Sequence, residues 1–357
     1  MRTLRRYMAR EIIAATALVM AGLLVLFAFF DLVEQIKDLG RGGYQLRHII
    51  LHVLLSVPNH VYELFPIATL IGTLFALAQL VASSQYTVMR VSGISISGMA
   101  MMLGAVGMLF AVLTFLFGEF IGPPAEQLAQ RIRSQAITGL VAQEFRSGLW
   151  IKDGRSFINV FEVLPDSTLR GVKIYEFDDQ YRLRQVSFAQ RGDYQDDHRW
   201  LLQGVVRTTF EDRRAKVSRM AEAQWQSVLE PRLFNILLVK PEQMSAWNLY
   251  SYSQHLKENR QKALRYEIAL WNKAMYPGAV LVMMLLALPF AQSSRRQGGV
   301  GGKVFAGIML GLGFHLLNRL FGHLGLLNDW PAAVTALVPP LIFLSVAVAL
   351  VWWQERR

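Results

Sequence analysis

The chain has 357 residues, 53% of them hydrophobic and 18% charged, with a mean hydropathy of +0.29. That is too apolar for an average soluble protein of this length and points to a membrane class. There is no cysteine, which excludes disulfides, thiolate metal sites and cysteine nucleophiles; in a chain with membrane spans, the net charge of +11 fits cytoplasmic anchoring and anionic lipid better than nucleic acid.

Ile12–Phe30 carries no charge and is long enough to cross a hydrocarbon core of about 30 Å at about 1.5 Å per residue. Arg2, Arg5, Arg6 and Arg10 precede it. The run is longer than a signal-peptide core and no small-residue cleavage site follows, so it reads as a retained span. Further apolar runs at about Ile49–Val81, Ile94–Gly118, Ala274–Ala291, Val304–Leu320 and Ala332–Trp353 bring the expected total to six helices. Lys and Arg in the short connections orient them. The N-terminus, Arg90, the loop holding Arg295, Arg296 and Lys303, and the tail Arg356–Arg357 share one side, expected to be the cytoplasm. The loop Gly322–Pro331 has neither Lys nor Arg and faces out. Lys37, Arg41 and Arg47 break this trend on the outer side.

Between the third and fourth runs, about Pro123–Leu264, the pattern changes to short alternating strands: "SFINVFEV", "GVKIYEF", "RLRQVSFA", "WLLQGVVRTTF" and "AQWQSVL". Turn signals separate them (Asp153-Gly154, Asp178-Asp179, Gly192-Asp193), as in a sandwich or jelly roll. "PAEQLAQRIRSQAITGL" before the strands reads as helix extending the third span. "MSAWNLYSYSQHLKENRQKALRYEIALWNK" after them reads as amphipathic helix leading into the fourth span, with Ser245 as N-cap. The expected fold is an α-helical membrane protein of six transmembrane helices with an inserted all-β domain. Its division is 1–122 for the first three spans, with a short helix at about 83–95; 123–264 for the outer β domain with flanking helices; and 265–357 for the last three spans.

Catalytic signals are weak. "GGVGGKV" (Gly298–Val304) lacks the Walker A glycine six residues before the Lys, where Gln297 stands, and the Ser or Thr after it, where Val304 stands. It reads as a flexible cytoplasmic loop, and the chain is not expected to hydrolyse ATP. His48 and His52 share a helix face, yet no third metal ligand follows, so packing is the plainer reading. No nucleophile–base pair stands out, and no cofactor or metal is expected. Glu63 lies inside the second run between Pro58 and Pro66; an ionisable group there faces a partner, a cavity or a neighbouring helix. Arg319, beside Asn318, admits two readings, a snorkelling anchor or a contact to an anionic ligand. Lys37 and Arg41 after the first span, with Arg131 and Arg133 after the third, are each ordinary interfacial anchors singly. Together, and against the charge trend, they favour a phosphorylated lipid. The polar stretch "SSQYTVMRVSGIS" (Ser83–Ser95) interrupts two apolar runs on the expected cytoplasmic side.

"FFDLVEQIKDLGRGGYQL", "YELFPIATLIGTLFALAQLVASSQYTVMRVSGIS" and "GEFIGPPAEQLAQRIRSQA" resemble the LptF/LptG permease family of the lipopolysaccharide export ABC transporter, the first of them favouring the LptG type. The resemblance covers the whole chain. It implies a non-catalytic subunit of the inner membrane with both termini cytoplasmic and a periplasmic, jellyroll-like β domain. Its partners would be an LptF-like permease, an LptB-like ATPase dimer that binds ATP and Mg, an LptC-like single-span protein and an LptA-like periplasmic bridge. In the family the first and fifth spans form a lateral gate. Its lipid-binding positives match Lys37, with Arg131 and Arg133, and more loosely Arg319. The connection between the second and third spans is a coupling helix, which places Gln85, Tyr86, Val88, Met89 and Arg90 against the ATPase. Gln85 stands where an acidic residue is usual. Rival readings are a secondary transporter, for which coupling carboxylates are scarce beyond Glu63, and a membrane-anchored sensor or assembly protein, for which six spans are excessive.

Overall fold

A computed structural model describes residues 2–93, 95–137, 149–163, 168–195, 199–211, 214–227, 240–292 and 300–356. Its helices are α1 (Arg2–Ile36), α2 (Leu46–Ala82), α3 (Gln85–Val91), α4 (Ile96–Leu116), α5 (Gly122–Ala136), α6 (Ala246–Glu258), α7 (Leu264–Gln292), α8 (Val300–Leu327) and α9 (Ala332–Glu355). Six are long and apolar enough to cross a membrane: α1, α2, α4 continued into α5, α7, α8 and α9. The expectation of six spans around an inserted β domain is met. Arg295 and Arg296 lie outside the described residues, as does Arg357. The expected loop at "GGVGGKV" is corrected from Val300 onward, because Val300–Lys303 form the first turn of α8.

α2 is the spine. It packs against α1, α5, α7 and α8, and 78% of its most apolar window is buried, against 22% for α1 and 17% for α8. Lipid tails are as apolar as Leu, so helices in a bilayer associate through close van der Waals fit and not through expulsion of water. Glycines supply that fit here. A Cβ on Gly72 would lie 2.5 Å from the Thr16 Cα, so α1 and α2 touch backbone to backbone. Gly307 and Gly311, one turn apart on α8, seat against Leu74 and Ile67 of α2. Gly118 lies against the Tyr62 ring within a π-turn, Phe117–Ile121, that joins α4 to α5. The extended third span expected from sequence is therefore one helix with a π-turn in it.

Among the described residues the inserted segment forms one antiparallel sheet: β1 (Leu149–Asp153), β2 (Ser156–Val163), β3 (Leu169–Phe177), β4 (Leu183–Gln195), β5 (Arg199–Glu211) and β6 (Arg214–Gln226). Among the described residues the strands pair in chain order, which refines the jellyroll-like expectation to an up-and-down meander at this level. Ile158, Val160, Leu169, Val172, Ile174, Ala189, Trp200, Leu202 and Val205 bury one apolar face. Gly171 and Gly204 both adopt φ +63 and fall in the cross-strand row through Phe161 and Gln190. Side chains have little room at either position: a Cβ on Gly171 would meet the Phe161 Cβ at 2.8 Å, and one on Gly204 the Gln190 Cδ at 3.0 Å.

Two side chains, Glu119 and Asn259, fasten this sheet segment to the spans through α6. Glu119, in the π-turn, accepts the Ala246 N–H at 2.7 Å and the Trp247 N–H at 3.4 Å, a carboxylate on the first turn of α6. Ser245 caps that helix through the Asn248 N–H, as expected. Asn259 accepts the Gly154 N–H of the β1–β2 turn at 2.9 Å. The single helix expected over Met244–Lys273 is corrected to two. Asn259 terminates α6, and Arg260 at φ +52 reverses the chain before α7.

Gly72→Val should lower the thermal midpoint of the detergent-solubilised protein, since overpacking at a rigid contact costs about 1–3 kcal/mol. Gly313→Ala, which meets nothing within 4 Å, should leave it unchanged. A thermal-shift assay read by size exclusion checks both.

Candidate functional site

The connection between α1 and α2 is built around a carboxylate. Asp38 is 8% exposed; its Oδ1 accepts Arg41 Nη1 at 2.7 Å and its Oδ2 accepts Arg133 Nη2, from α5, at 2.7 Å. Buried Nε of Arg133 has no hydrogen-bond partner among the described residues. Gly40 and Gly42 take φ +84 and +59, which lets the chain turn tightly enough for the Gly43 N–H to reach the Ala136 carbonyl at 2.8 Å. Tyr44 is buried beneath this turn, donates its hydroxyl to Gln35 Oε1 at 3.0 Å and stacks on His48. Burial pushes the Tyr44 hydroxyl above its ordinary pKa, with Asp38 adding and Arg133 opposing, so it stays protonated and keeps donating.

Of the four cations expected to act together, two therefore converge on one anion. Lys37 is exposed and makes no ion pair among the described residues. Arg131 is exposed two residues before Arg133, and Arg47 is exposed on the first turn of α2. Arg319 is elsewhere, on α8, where with Gly313, Leu316, Leu317, Leu320 and His323 it lines an open groove of about 490 Å³.

Glu63 lies on the inner seam of the bundle. Asn59 Nδ2 donates to its Oε1 at 3.4 Å, and the Tyr276 hydroxyl of α7 donates to its carbonyl at 2.6 Å. His60 meets Asp31 of α1 at 2.6 Å, and buried Glu126 accepts Gln130 Nε2 at 3.0 Å. Buried Lys273 donates to the Met244 carbonyl and lies 5.4 Å over the Tyr62 ring. Glu63 is thus one member of a polar seam and not an isolated group. His48 Nδ1 accepts the Gln45 N–H at 3.0 Å, and His52 is buried on α2, so this pair has packing and capping roles. Among the described residues no cluster is suited to a metal.

On the opposite side of the bundle, α3 is held at a fixed angle by left-handed residues at its two ends, Ser84 at φ +62 and Gly93 at φ +89. Val88 is 64% exposed and Val91 84% exposed, whereas Met89 is 4% exposed and packs into the main core with Tyr86 against it. Gln85 is exposed and accepts the Tyr7 hydroxyl at 3.1 Å, which ties α3 to the start of α1. The Arg90 side chain lies outside the described residues.

The sequence profile described as "Lipopolysaccharide export system permease LptF/LptG" matches residues 6–353. The chain belongs to the LptF/LptG permease family. It is similar to the lipopolysaccharide export system permease protein LptG of Haemophilus influenzae, 31% identical over 357 residues, 99% of this chain and 98% of that one. It is equally similar to LptG of Escherichia coli K12, 31% identical over 356 residues with the same coverage. Membership and six apolar helices make it a multi-pass membrane protein.

Sequence reasoning about this LptF/LptG member missed Asp38, Asp31, His60, Glu126, Glu119 and Lys273. Asp38 carried one usable signal, an acidic residue between Lys37 and Arg41 in an otherwise basic loop. The α3 geometry separates two residues that sequence left together. Met89→Asp would bury an unpaired carboxylate in the bundle core and should abolish recovery of monodisperse protein. Val88→Asp should leave the size-exclusion profile of the chain unchanged.

Proposed function

We propose that this chain is the LptG-type permease subunit of an ABC transporter that extracts lipopolysaccharide from the inner membrane and passes it to a periplasmic protein bridge. The partners in this reading are an LptF-like permease, an LptB-like ATPase dimer that holds ATP and Mg, an LptC-like single-span protein and an LptA-like bridge. One observation carries it: the family likeness runs through residues 6–353, across all six spans and the inserted sheet. In this reading both termini are cytoplasmic and the sheet is periplasmic. Supporting this, the Tyr7–Gln85 bond puts the basic start of α1 and α3 on one side, and the Gly43–Ala136 bond puts the α1–α2 turn on the sheet's side.

Energetics dictate the route. Exposing acyl chains to water costs about 0.8 kcal/mol per CH₂, tens of kcal/mol for several chains, so every station must be apolar. α1 turns Leu18, Val25, Phe29 and Phe30 outward, and α8 turns Phe305, Ile308, Met309 and Leu312 outward. These two faces form this subunit's sides of the lateral entry. The lipid's phosphates then meet Lys37, Arg41, Arg131 and Arg133 at the sheet-side rim, with Arg319 contributing from the α8 groove. Closure of the ATPases presses on α3. Val88 takes the contact at the surface, Gln85 offers a neutral hydrogen bond in place of an ion pair, and Tyr86 and Met89 carry the push into the core; Arg90 adds charge at the same seat. The apolar face of the sheet receives the chains, since alternation along each strand turns one face oily.

The test is lipid-stimulated ATP hydrolysis by the assembled complex in nanodiscs. Lys37→Glu with Arg131→Glu should cut stimulation by lipopolysaccharide about tenfold, equivalent to about 1.4 kcal/mol, while co-purification and unstimulated turnover persist. Undiminished stimulation would reduce these residues to interfacial anchors.

A further inference from the structure

Asp38 occupies the place between two guanidiniums where an anion would otherwise bind. We propose that Asp38 is the specificity-determining residue of the lipid-phosphate site. As a resident carboxylate, it yields Arg41 and Arg133 to a doubly charged phosphomonoester headgroup but not to a singly charged phosphodiester. This rests on the lipid-binding reading above and refines it.

The geometry supports exchange over simple neutralisation. The Arg41 side chain is 59% exposed and that of Arg133 30%, so a headgroup at the rim can reach both. The Asp38 side chain is 11% exposed and its backbone is fixed by the Asp38 N–H to Gln35 carbonyl bond at 3.1 Å. It can rotate aside but cannot leave. Each carboxylate oxygen is already engaged by one guanidinium, and the buried Nε of Arg133 is left without an acceptor among the described residues. A phosphomonoester presents three terminal oxygens, one for each of Arg41 Nη1, Arg133 Nη2 and Arg133 Nε, whereas a phosphodiester presents two.

Charge then sets the selectivity. Two Arg and one Asp carry +2 − 1 = +1. Exchanging the carboxylate for a phosphodiester replaces one negative charge with another and gains nothing electrostatically, while the headgroup still loses its hydration. A phosphomonoester brings about −1.5 to −2 near neutral pH, so its exchange is favourable. A bilayer surface is crowded with phosphodiesters, and a bare pair of arginines there would be occupied by ordinary phospholipid. A built-in competitor keeps the pair available for the rarer, more highly charged ligand.

The experiment uses the purified full-length chain in phosphatidylcholine nanodiscs doped with either phosphatidic acid, a phosphomonoester, or phosphatidylglycerol, a phosphodiester, at equal mole fraction and about pH 8. Retained lipid is read by native mass spectrometry. The wild type should retain phosphatidic acid over phosphatidylglycerol by about tenfold. Asp38→Asn should bring the two to near parity by gaining phosphatidylglycerol, and Asp38→Glu should keep the preference. A preference unchanged in Asp38→Asn, or none in the wild type, overturns the proposal. Should Asp38→Asn fail to fold, Arg41→Gln serves, because it removes the exposed arm and should lower the preference by losing phosphatidic acid; an unchanged preference again overturns it. The paired variant Arg41→Gln with Arg133→Gln separates the two claims. If it retains both lipids as the wild type does, the lipid-binding reading fails. If it loses both while Asp38→Asn keeps the preference, only the role of Asp38 fails. Inorganic phosphate that displaces phosphatidic acid at equal concentration would overturn the assignment to a headgroup.

Discussion

Everything in this fold depends on α2 packing tightly without help from water. Within a bilayer, burial of apolar surface drives little association between helices, and close backbone approach takes its place. The contact of Gly72 with Thr16, the Gly307 and Gly311 seats on α2, and Gly118 beneath Tyr62 supply that approach on separate flanks of one helix. Because α2 satisfies its neighbours so completely, α1 and α8 are left with apolar faces turned outward. A helix pair closed on itself would have nothing to offer a lipid or a second subunit.

The same spine joins the two ends of the molecule. At one end its C-terminus runs through Ser84 into α3, whose inward Met89 makes that short helix part of the core and not an appendage. At the other, the turn before α2 is fastened to α5 by the Asp38–Arg133 pair and the Gly43–Ala136 bond. From α5 the π-turn carboxylate of Glu119 reaches the first turn of α6, and Asn259 at its far end holds the β1–β2 turn. Displacement of α3 therefore has a continuous set of rigid contacts through which to reach the sheet.

The span count and the inserted sheet were legible because each is written in short-range pattern: unbroken hydropathy and period-two alternation. What was missed is long-range or too short for a period. Asp31 with His60, and Asp38 with Arg133, are pairs between distant segments that only the packing of α1, α2 and α5 brings together. A seven-residue helix such as α3 has too few turns to reveal that Met89 faces in and Val88 faces out. β1 is only five residues long and did not declare itself by alternation, and β6 did so only at its end, in "AQWQSVL", because its first half is mostly exposed and polar. The break between α6 and α7 hides in "KENRQKA", where Asn259 and Arg260 are ordinary helix-surface residues until their backbone is seen. Asp38 was overlooked for a different reason: a lone carboxylate among cations reads as solvated charge balance, and its ion pairs are visible only once α5 is in place.

The central claim is that this subunit guides lipid and a separate motor supplies the energy. Its most direct measurement is ATP turnover by the purified chain, alone and then reconstituted with the proposed cytosolic ATPase and permease partner. The account predicts no hydrolysis by the chain alone and lipid-stimulated hydrolysis once the ATPase is added. Turnover by the isolated chain would contradict it.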